Sequence, residues 1–504
     1  MSDLVLMAGD DLVEVTIGGA VRVIDPPPPL EPLPDFAKSV RRALRAPMGL
    51  PQLRRLVGPG ARVTVAFDDP CLPLPPPWVD PRRQVLEQVV DALSDAGVRD
   101  HDLTLVCANG LHRRWRAREL APIVGPRLRR RFGDRIVCYD AEDAEANVSL
   151  GPTESGLLVE VSRLVADADL VVYVGVPWTE MNGGHKSLAC GLSTYACIAQ
   201  HHRSAVQVSS PLMSPESSAM HGALRDIGRH IGARVPVFQV ETLVNNRLWA
   251  GPFRSLDLRR RRLSAGMRQA RRAPASLRRL ARRNMRGSYQ PAGIWAGAVE
   301  PVHTALLERM AANRVAVEGQ SDILVLGVPN MSPYAVHADM NPLLTVNLGL
   351  GYSFQFGRGR PLVREGGIAV LVAPCSSGFD PVHHPSYERF WNEVLSETRD
   401  AAVMEREWEP GFAVDADLVA AYRQGWAYHP AHPFFAWYWM ARALRHLDTV
   451  IVAGCEDPAV VEHMGFLPAS NLERAVDMAR GILGPDATVS VQSVPPVFTV
   501  DVSA

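Results

Sequence analysis

Four short stretches of this 504-residue chain carry side chains able to do chemistry. They are Asp68 and Asp69 in "VTVAFDD", Asn109, His112 and Arg113 in "ANGLHRR", Gly183, Gly184, Lys186 and Ser187 in "NGGHKS", and His201 and His202 in "QHH". The third looks like the end of a phosphate-binding loop, G-x-x-x-x-G-K-[ST]. His185, however, separates Gly184 from Lys186, and Gly175 lies too far upstream to open that motif. Lys186 therefore needs another explanation. Of 53 basic residues it is one of only two lysines, the other being Lys38, so arginine fills almost every cationic position in the chain. A desolvated lysine can lose its proton and act as an amine nucleophile, whereas arginine stays protonated. A plain phosphate contact is the simpler alternative, and composition does not separate the two.

His112 follows a strand-like segment and a Gly turn, a good place for a general base whose pKa lies near working pH. A capping or core histidine is the bland reading; the acids and amides at neighbouring strand ends favour a site. Two other chemistries fit poorly. There is no G-x-S-x-G nucleophile elbow. There is also no H-E-x-x-H or Cys/His spacing for a zinc site built from protein alone. The pairs His201–His202 and His383–His384 could each offer a metal ligand. Adjacent histidines on a strand point to opposite faces, so at most one of each pair would bind.

These candidates must be positioned by secondary structure, and the pattern is strand and helix in alternation. "ARVTVAFDD" (61–69), "DLTLVCANG" (102–110), "DRIVCYDAED" (134–143) and "ADLVVYVGVPW" (168–178) read as strands, with "QVLEQVVDALSDAGV" (84–98) and "RRWRARELAPIVG" as helices between them. The pattern resumes at "SDILVLGVPN", "GGIAVLVAPC" and "LDTVIVAGC". The expectation is an α/β protein of two domains, each a largely parallel sheet flanked by helices, with the active site in the cleft between them. Residues 1–295 would form the cofactor-binding and catalytic domain, and 296–504 a domain closing over the substrate. In such sheets ligands bind beyond the carboxyl ends of the strands, where the candidate residues fall. Residues 24–36, "IDPPPPLEPLPDF", read as an extended proline-rich connector.

Within the first unit, residues 253–287 hold 13 arginines. They form either a phosphate- or nucleic-acid-binding patch or a solvated helical insertion balanced by acids elsewhere. The near absence of aromatic residues for stacking on bases favours the insertion and argues against a nucleic-acid partner. The net charge of −1 agrees. The longest apolar runs fall short of the roughly 20 residues of a membrane span, and the acidic start "MSDLVLMAGDDLVEV" lacks a signal peptide's basic region. Seven scattered cysteines without a C-x-x-C pair suit a reducing cytoplasm.

Taken together, the segments resemble the nickel-pincer nucleotide-dependent lactate racemase family. "VTVAFDDPCLPLP" resembles its strand and D-D-x-T-R-P-x-P loop, and "CANGLHRRWRARE" its A-[TN]-G-x-H-R-x-x-[TS]-x-x-E segment. "ADADLVVYVGVPWTEMNGGHKSLACGLSTYACIAQHH" resembles its strand, G-G-x-K-S-x-x-x-G loop and following N-H. "GQSDILVLGVPN" and "REGGIAVLVAPCSSGF" are less specific matches. The resemblance is strong over residues 60–240 and thinner to about 380. It implies a pyridinium dithiocarboxylate mononucleotide carrying nickel, joined covalently to Lys186. It also implies His202, sixteen residues on, as nickel ligand and His112 as acid/base catalyst of hydride transfer. Asp69, Asn109, Gly183, Gly184 and Ser187 would contact the cofactor or orient the base. The implied partners are a small hydroxy acid or sugar substrate and the enzymes that make the cofactor.

The departures from the family pattern fall in the substrate-handling positions. The second acid/base histidine, ten residues before the lysine, is Val176 here, with Trp178, Glu180 or His185 as possible replacements. The T-R of the first loop is Cys71–Leu72. The Y-Q-x-x-K segment retains Tyr334 alone, with His337 or Asn341 as stand-ins. Losing an arginine fork removes bidentate carboxylate binding. The expectation is a racemase or epimerase for a substrate other than lactate, a larger hydroxy acid or polyol-type molecule. The alternatives are a homologue that holds the cofactor without turnover, and a nucleotide-linked transferase using the arginine patch.

Overall fold

A computed structural model describes residues 2–71, 75–249, 262–263 and 265–504. Leu72 of the first loop and most of the stretch 250–264 lie outside the described residues. The chain is α/β, built on two six-stranded sheets flanked by helices. The first sheet runs, edge to edge, Pro291–Gly297, Val237–Val244, Leu170–Gly175, Val63–Asp68, Leu103–Ala108, Ile136–Cys138. Its pairings are parallel except for the edge strand Pro291–Gly297. Val63–Asp68 and Leu170–Gly175 are buried along almost their whole length. Helices cover both faces of the sheet, so these strands read as unbroken apolar runs. From Val63–Asp68 the chain first builds outward through Leu103–Ala108 and Ile136–Cys138, then returns to add Leu170–Gly175 on the other side. That reversal opens a crevice at the carboxyl ends, where ligands bind in such sheets.

The second sheet is parallel throughout, in the order Leu467–Ala469, Leu447–Ala453, Val363–Val372, Ser321–Gly327, Val489–Gln492, Val21–Ile24. The three strands expected in the second half of the sequence form its centre. Its edge comes from the other end of the chain: Val21–Ile24, within the segment assigned from sequence to the first unit, pairs with Val489–Gln492. The hairpin of Ser2–Ala8 and Asp11–Ile17 also packs with this half, burying Leu4 and Leu6 in one cluster with Ile323 and Val370. Among the described residues no helix is long and apolar enough to cross a membrane.

The arginine-rich stretch forms the helices Ala265–Arg271 and Ala275–Arg283. Arg262 pairs with Asp3 at 3.0 Å, Arg268 with Glu14 at 3.3 Å, Arg271 with Asp11 at 3.0 Å and Arg283 with Asp339 at 2.9 Å. Four acids elsewhere in the chain thus offset part of its charge. Most of these side chains are well exposed, and each such pair contributes little.

Two buried networks fix the parts that meet at the crevice. Asp80 caps the helix Pro81–Asp95 by accepting from the Arg82 backbone N–H, and binds the buried Arg82 guanidinium at 2.6 Å. Arg82 Nη1 also donates to the carbonyls of Asp68 at 2.7 Å and Asp69 at 2.8 Å, at the end of the central strand. Arg82→Met would leave Asp80 charged and unpaired in the interior. We expect it to lower unfolding stability by about 3–5 kcal/mol in denaturant titrations. A loss below about 1 kcal/mol would refute this role.

On the opposite wall, Glu409 accepts from the hydroxyls of Tyr195 at 2.8 Å and Tyr438 at 2.9 Å. Burial pushes its carboxyl up to about 7. A raised folded-state pKa contributes stability below the unfolded value near 4.5, and that contribution is lost as pH rises through about 7. Wild-type stability should therefore fall across this window by an amount on the order of 3 kcal/mol. Glu409→Gln should remove that slope and be the more stable protein at pH 8. Parallel wild-type and Glu409→Gln melting curves from pH 4.5 to 8 would contradict the assignment.

Candidate active site

The strand-end residues of the first sheet and an aromatic wall from the helices between residues 385 and 446 enclose a cavity of about 170 Å³. Asp68 ends the central strand. Its carboxylate accepts from the Tyr173 hydroxyl at 2.8 Å and the Val176 backbone N–H at 2.7 Å, which ties the Leu170–Gly175 strand and its following loop to the switch point. Burial raises its pKa.

The next residue, Asp69, organises the histidine. His112 Nδ1–H donates to Asp69 Oδ2 at 2.9 Å, and Trp115 Nε1–H donates to the same oxygen at 3.2 Å. The Cys71 backbone N–H donates to Oδ1 at 3.1 Å. Burial alone would raise the Asp69 carboxyl. The charge and hydrogen bond of His112 outweigh burial and hold it below the ordinary value. With Nδ1 occupied, the Nε2 lone pair of His112 is free to accept a proton, and Asp69 stabilises the resulting imidazolium. Asp69, Cys71 and His112 also offer donor atoms all within 4.8 Å of one another. Burial, followed by the Asp69 charge, pushes the Cys71 thiol well up, so this trio suits a proton-handling site better than a thiolate–metal site. Asn109 donates to the carbonyls of Tyr139 at 3.1 Å and His112 at 3.3 Å, while its Oδ1 is buried without a partner.

The glycine loop has its shape for a steric reason. Gly183 and Gly184 take φ of 89° and 57°. A Cβ on Gly183 would lie 2.5 Å from Glu241 Oε1, and one on Gly184 would lie 2.7 Å from the His303 ring. Buried Glu241 straps the loop to the Val237–Val244 strand by accepting from Gly184 N–H at 2.7 Å, from Gln239 at 3.0 Å and from His303 Nδ1 at 3.0 Å. Lys186 opens the helix Lys186–Gly191 and points to the cavity, its Nζ 5.4 Å from the Trp439 ring centre. Among the described residues it has no ion-pair partner. Burial holds its ammonium below the ordinary lysine value, which favours the amine. Ser187, also on the wall, accepts from Gln239 at 3.2 Å.

His202 ends the helix Tyr195–His202 and reaches the same cavity. Its Nδ1 bonds the Ile198 carbonyl at 3.2 Å and must be the protonated nitrogen, because a carbonyl only accepts. Burial pushes the imidazole down to about 3, so the ring is neutral at neutral pH. Its Nε2 has no protein partner among the described residues. A carbonyl on one ring nitrogen and a free lone pair on the other is how proteins orient a metal-ligating histidine. His201 and His202 lie on a helix, not the strand assumed from sequence. His201 is fully buried away from the cavity, leaving one candidate ligand.

Asp69, Asn109, His112, Gly183, Lys186, Ser187 and His202 thus share one cavity wall, joined by Trp178 and Tyr334. The other candidates need correction. Glu180 is buried outside the cavity, accepting from Arg314 at 3.1 Å and Thr499 at 2.8 Å. His185 turns outward to Glu300 at 3.2 Å and packs on Gly228. Neither reaches the place left apolar by Val176, so neither replaces the missing base. His337 and Asn341 do not line the cavity. Asn341 caps the helix Pro342–Val346, and its amide lies 3.4 Å from His384. Gly184 stands behind the wall, shaping the loop. Among the described residues lining the cavity, Lys186 is the only lysine or arginine.

Sequence reading missed the wall opposite: Tyr352, His432, Phe435 and Trp439. Its signal was the run "HPFFAWYWM" (432–440), whose aromatic density looks like ordinary core. A larger cavity of about 580 Å³ lies behind Trp115, beside Arg114 and Trp426, and is lined by none of the sequence candidates.

Comparison with known proteins agrees with this geometry. Residues 9–212 match the lactate racemase N-terminal domain family. Lactate racemase of Thermoanaerobacterium thermosaccharolyticum is 26% identical over 167 residues, 32% of this chain and 37% of that relative. The match thus spans little more than a third of the relative's length. The structure of the lactate racemase apoprotein from the same organism superposes over 100% of both chains with a TM-score of 0.65 at 16% identity, which shows a common fold. Residues 9–212 are thus similar to the lactate racemase N-terminal domain family, and the whole chain shares the fold of the lactate racemase apoprotein.

Proposed function

We propose that this protein is a racemase or epimerase that holds a nickel-pincer nucleotide in the cavity and inverts a hydroxyl-bearing carbon of a hydroxy acid or sugar-like substrate other than lactate. One observation carries the reading: a half-buried amine with no ion-pair partner and a neutral histidine with an unpartnered Nε2, among the described residues, face one cavity from adjacent helices. Lys186 would anchor the cofactor covalently and His202 Nε2 would ligate nickel. A neutral imidazole beside sulfur donors suits that metal. The unpartnered Asn109 Oδ1 offers a buried acceptor, and Gly183 permits close backbone approach. Once bound, the cofactor supplies the hydride acceptor. The protein's part is to position the substrate and move a proton. His112 Nε2 takes the hydroxyl proton while Asp69 holds the imidazole by Nδ1, and Trp178 and Tyr334 contact the substrate.

On this reading the first sheet and its helices form the cofactor-binding part, and residues 296–504, joined by the N-terminal strands Ser2–Ala8, Asp11–Ile17 and Val21–Ile24, the part covering the substrate. The protein works in the cytoplasm and depends on the enzymes that make the cofactor. The test of the cofactor is co-expression with those enzymes, then intact mass and nickel analysis. Wild type should carry nickel and a covalent adduct, and Lys186→Ala should lose the adduct. A Lys186→Ala protein of unchanged adduct mass would overturn the anchor.

The substrate reading rests on the absence of a guanidinium from the described cavity wall, where a carboxylate clamp would stand. Holoenzyme should interconvert the uncharged C2 epimers glucitol and mannitol at least about 100-fold faster than lactate enantiomers, on the order of a 3 kcal/mol preference. Lactate racemisation at the faster rate would sink this reading. Full nickel loading with no turnover of any pair would favour the alternative of a cofactor-holding homologue.

A further inference from the structure

We propose that His432 is the second proton-transfer residue of this cavity, acting on the substrate hydroxyl alongside His112. The inference rests on the function proposed above. Its logic is geometric. When a carbon is inverted by removal and return of a hydride, its hydrogen must point at the hydride acceptor in both epimers. The hydroxyl then occupies a different position in each. A single fixed imidazole serves one epimer, and a second acceptor must serve the other.

The cavity wall leaves one imidazole for that task. Asp68 holds Tyr173 and the Val176 backbone with one bond to each oxygen, and Asp69 is committed to His112 and Trp115. Lys186 and His202 are assigned to the cofactor. Tyr334 and Tyr352 bond each other at 2.7 Å, and the Cys71 and Cys190 thiols are pushed up by burial and stay protonated. His432 remains. It opens the helix His432–Tyr438, is 6% exposed and faces the cavity from the wall opposite the first sheet.

Its ring is held as a catalytic imidazole needs to be. Nδ1 lies 2.6 Å from the Tyr387 hydroxyl, while Nε2 has no protein partner among the described residues. The ring centre is 5.4 Å from that of His112 at an interplanar angle of 70°, and 4.6 Å from that of Tyr334. At that separation one hydroxyl group can come within reach of either imidazole. Burial, followed by the charge of His112, pushes the His432 imidazole well below its ordinary value, so it stands neutral at neutral pH.

The steps balance. In the first, oxidation of C–OH to C=O would release the hydroxyl proton to the neutral imidazole, and the nickel-pincer nucleotide, when bound, would supply the two-electron hydride acceptor. In the second, reduction back to C–OH would take its proton from the other imidazole, so one imidazole of the pair enters neutral and the other enters as the imidazolium, and each turnover exchanges their states. Tyr387 is a positioning residue that fixes the His432 ring. The chain thus supplies from residue 432 what the apolar Val176 cannot.

The experiment uses nickel-loaded holoenzyme with the glucitol–mannitol pair. His432→Asn should keep its Lys186 adduct mass, nickel content and melting temperature, while steady-state epimerisation falls at least about 100-fold. After acid quench of a single turnover, wild type should yield the 2-keto compound from either epimer. His432→Asn should yield it from one epimer only, and His112→Asn from the other only. Tyr387→Phe should lower turnover less than His432→Asn does. Epimerisation by His432→Asn within about threefold of wild type, keto formation lost from both epimers alike, or loss of nickel would each overturn the assignment. Wild-type holoenzyme inactive on both epimers would instead overturn the function on which the assignment rests.

Discussion

Everything in the cavity depends on burying carboxylates at the end of the central strand of the first sheet. Asp68 and Asp69 sit where a parallel strand stops and the chain reverses direction across the sheet, and both are withdrawn from water. A carboxylate there costs several kcal/mol unless hydrogen bonds and an opposite charge replace its hydration. The protein meets that demand with groups that are themselves structural. Tyr173 and the Val176 N–H serve Asp68, Trp115 and His112 serve Asp69, and Arg82 takes both backbone carbonyls. Each partner thereby fixes another element: the neighbouring strand, the histidine loop and the helix Pro81–Asp95. The geometry of the candidate site is a consequence of satisfying these two acids, Asp69 buried and Asp68 half-buried.

The same economy explains the lysine of the cavity. An ammonium placed between the glycine loop and the Trp439 ring is poorly solvated and has no counter-ion among the described residues. Arginine could not discharge by losing a proton at that point, whereas lysine can. Glu241 is the hidden support, because it accepts from the loop backbone and from His303 and Gln239 without reaching the cavity itself. Its strand, "VFQVETLV", carries buried Gln239 and Glu241, which break the apolar run by which a parallel strand is recognised. The residues that make the loop work are thus the ones that hide the strand in the sequence.

This divides what was legible from what was not. The α/β class and the strands Val63–Asp68, Leu103–Ala108 and Leu170–Gly175 could be read directly, because burial on both faces forces continuous apolar segments. The polar groups at their ends could be read because chemistry-bearing side chains stand out against such runs. The pairing of Val21–Ile24 with Val489–Gln492 could not be read, since nothing local in either strand records a partner at the other end of the chain. Glu180 and His185 looked like possible bases because they are close to Lys186 in sequence. The loop turns one toward Arg314 and Thr499 and the other toward Glu300. His432 was invisible for the converse reason. It is far away in sequence and embedded in aromatic residues that pack as a core on one side and line the cavity on the other.

The aromatic wall also bears on what can bind. Tyr334, Tyr352, Phe435 and Trp439 offer faces and hydroxyls to the cavity and no fixed positive charge, and on the proposed function Lys186 would be taken up by the cofactor. A carboxylate entering such a space would exchange full hydration for a few neutral donors, an unfavourable trade without a guanidinium fork. A hydroxyl-rich chain loses less, because each hydroxyl is neutral and can both donate and accept. Its C–H faces can also pack against the rings. On the proposed function, the polarity of the wall would therefore disfavour small anionic hydroxy acids and favour longer, polyhydroxylated molecules, even though the strand-end machinery that would act on either is the same.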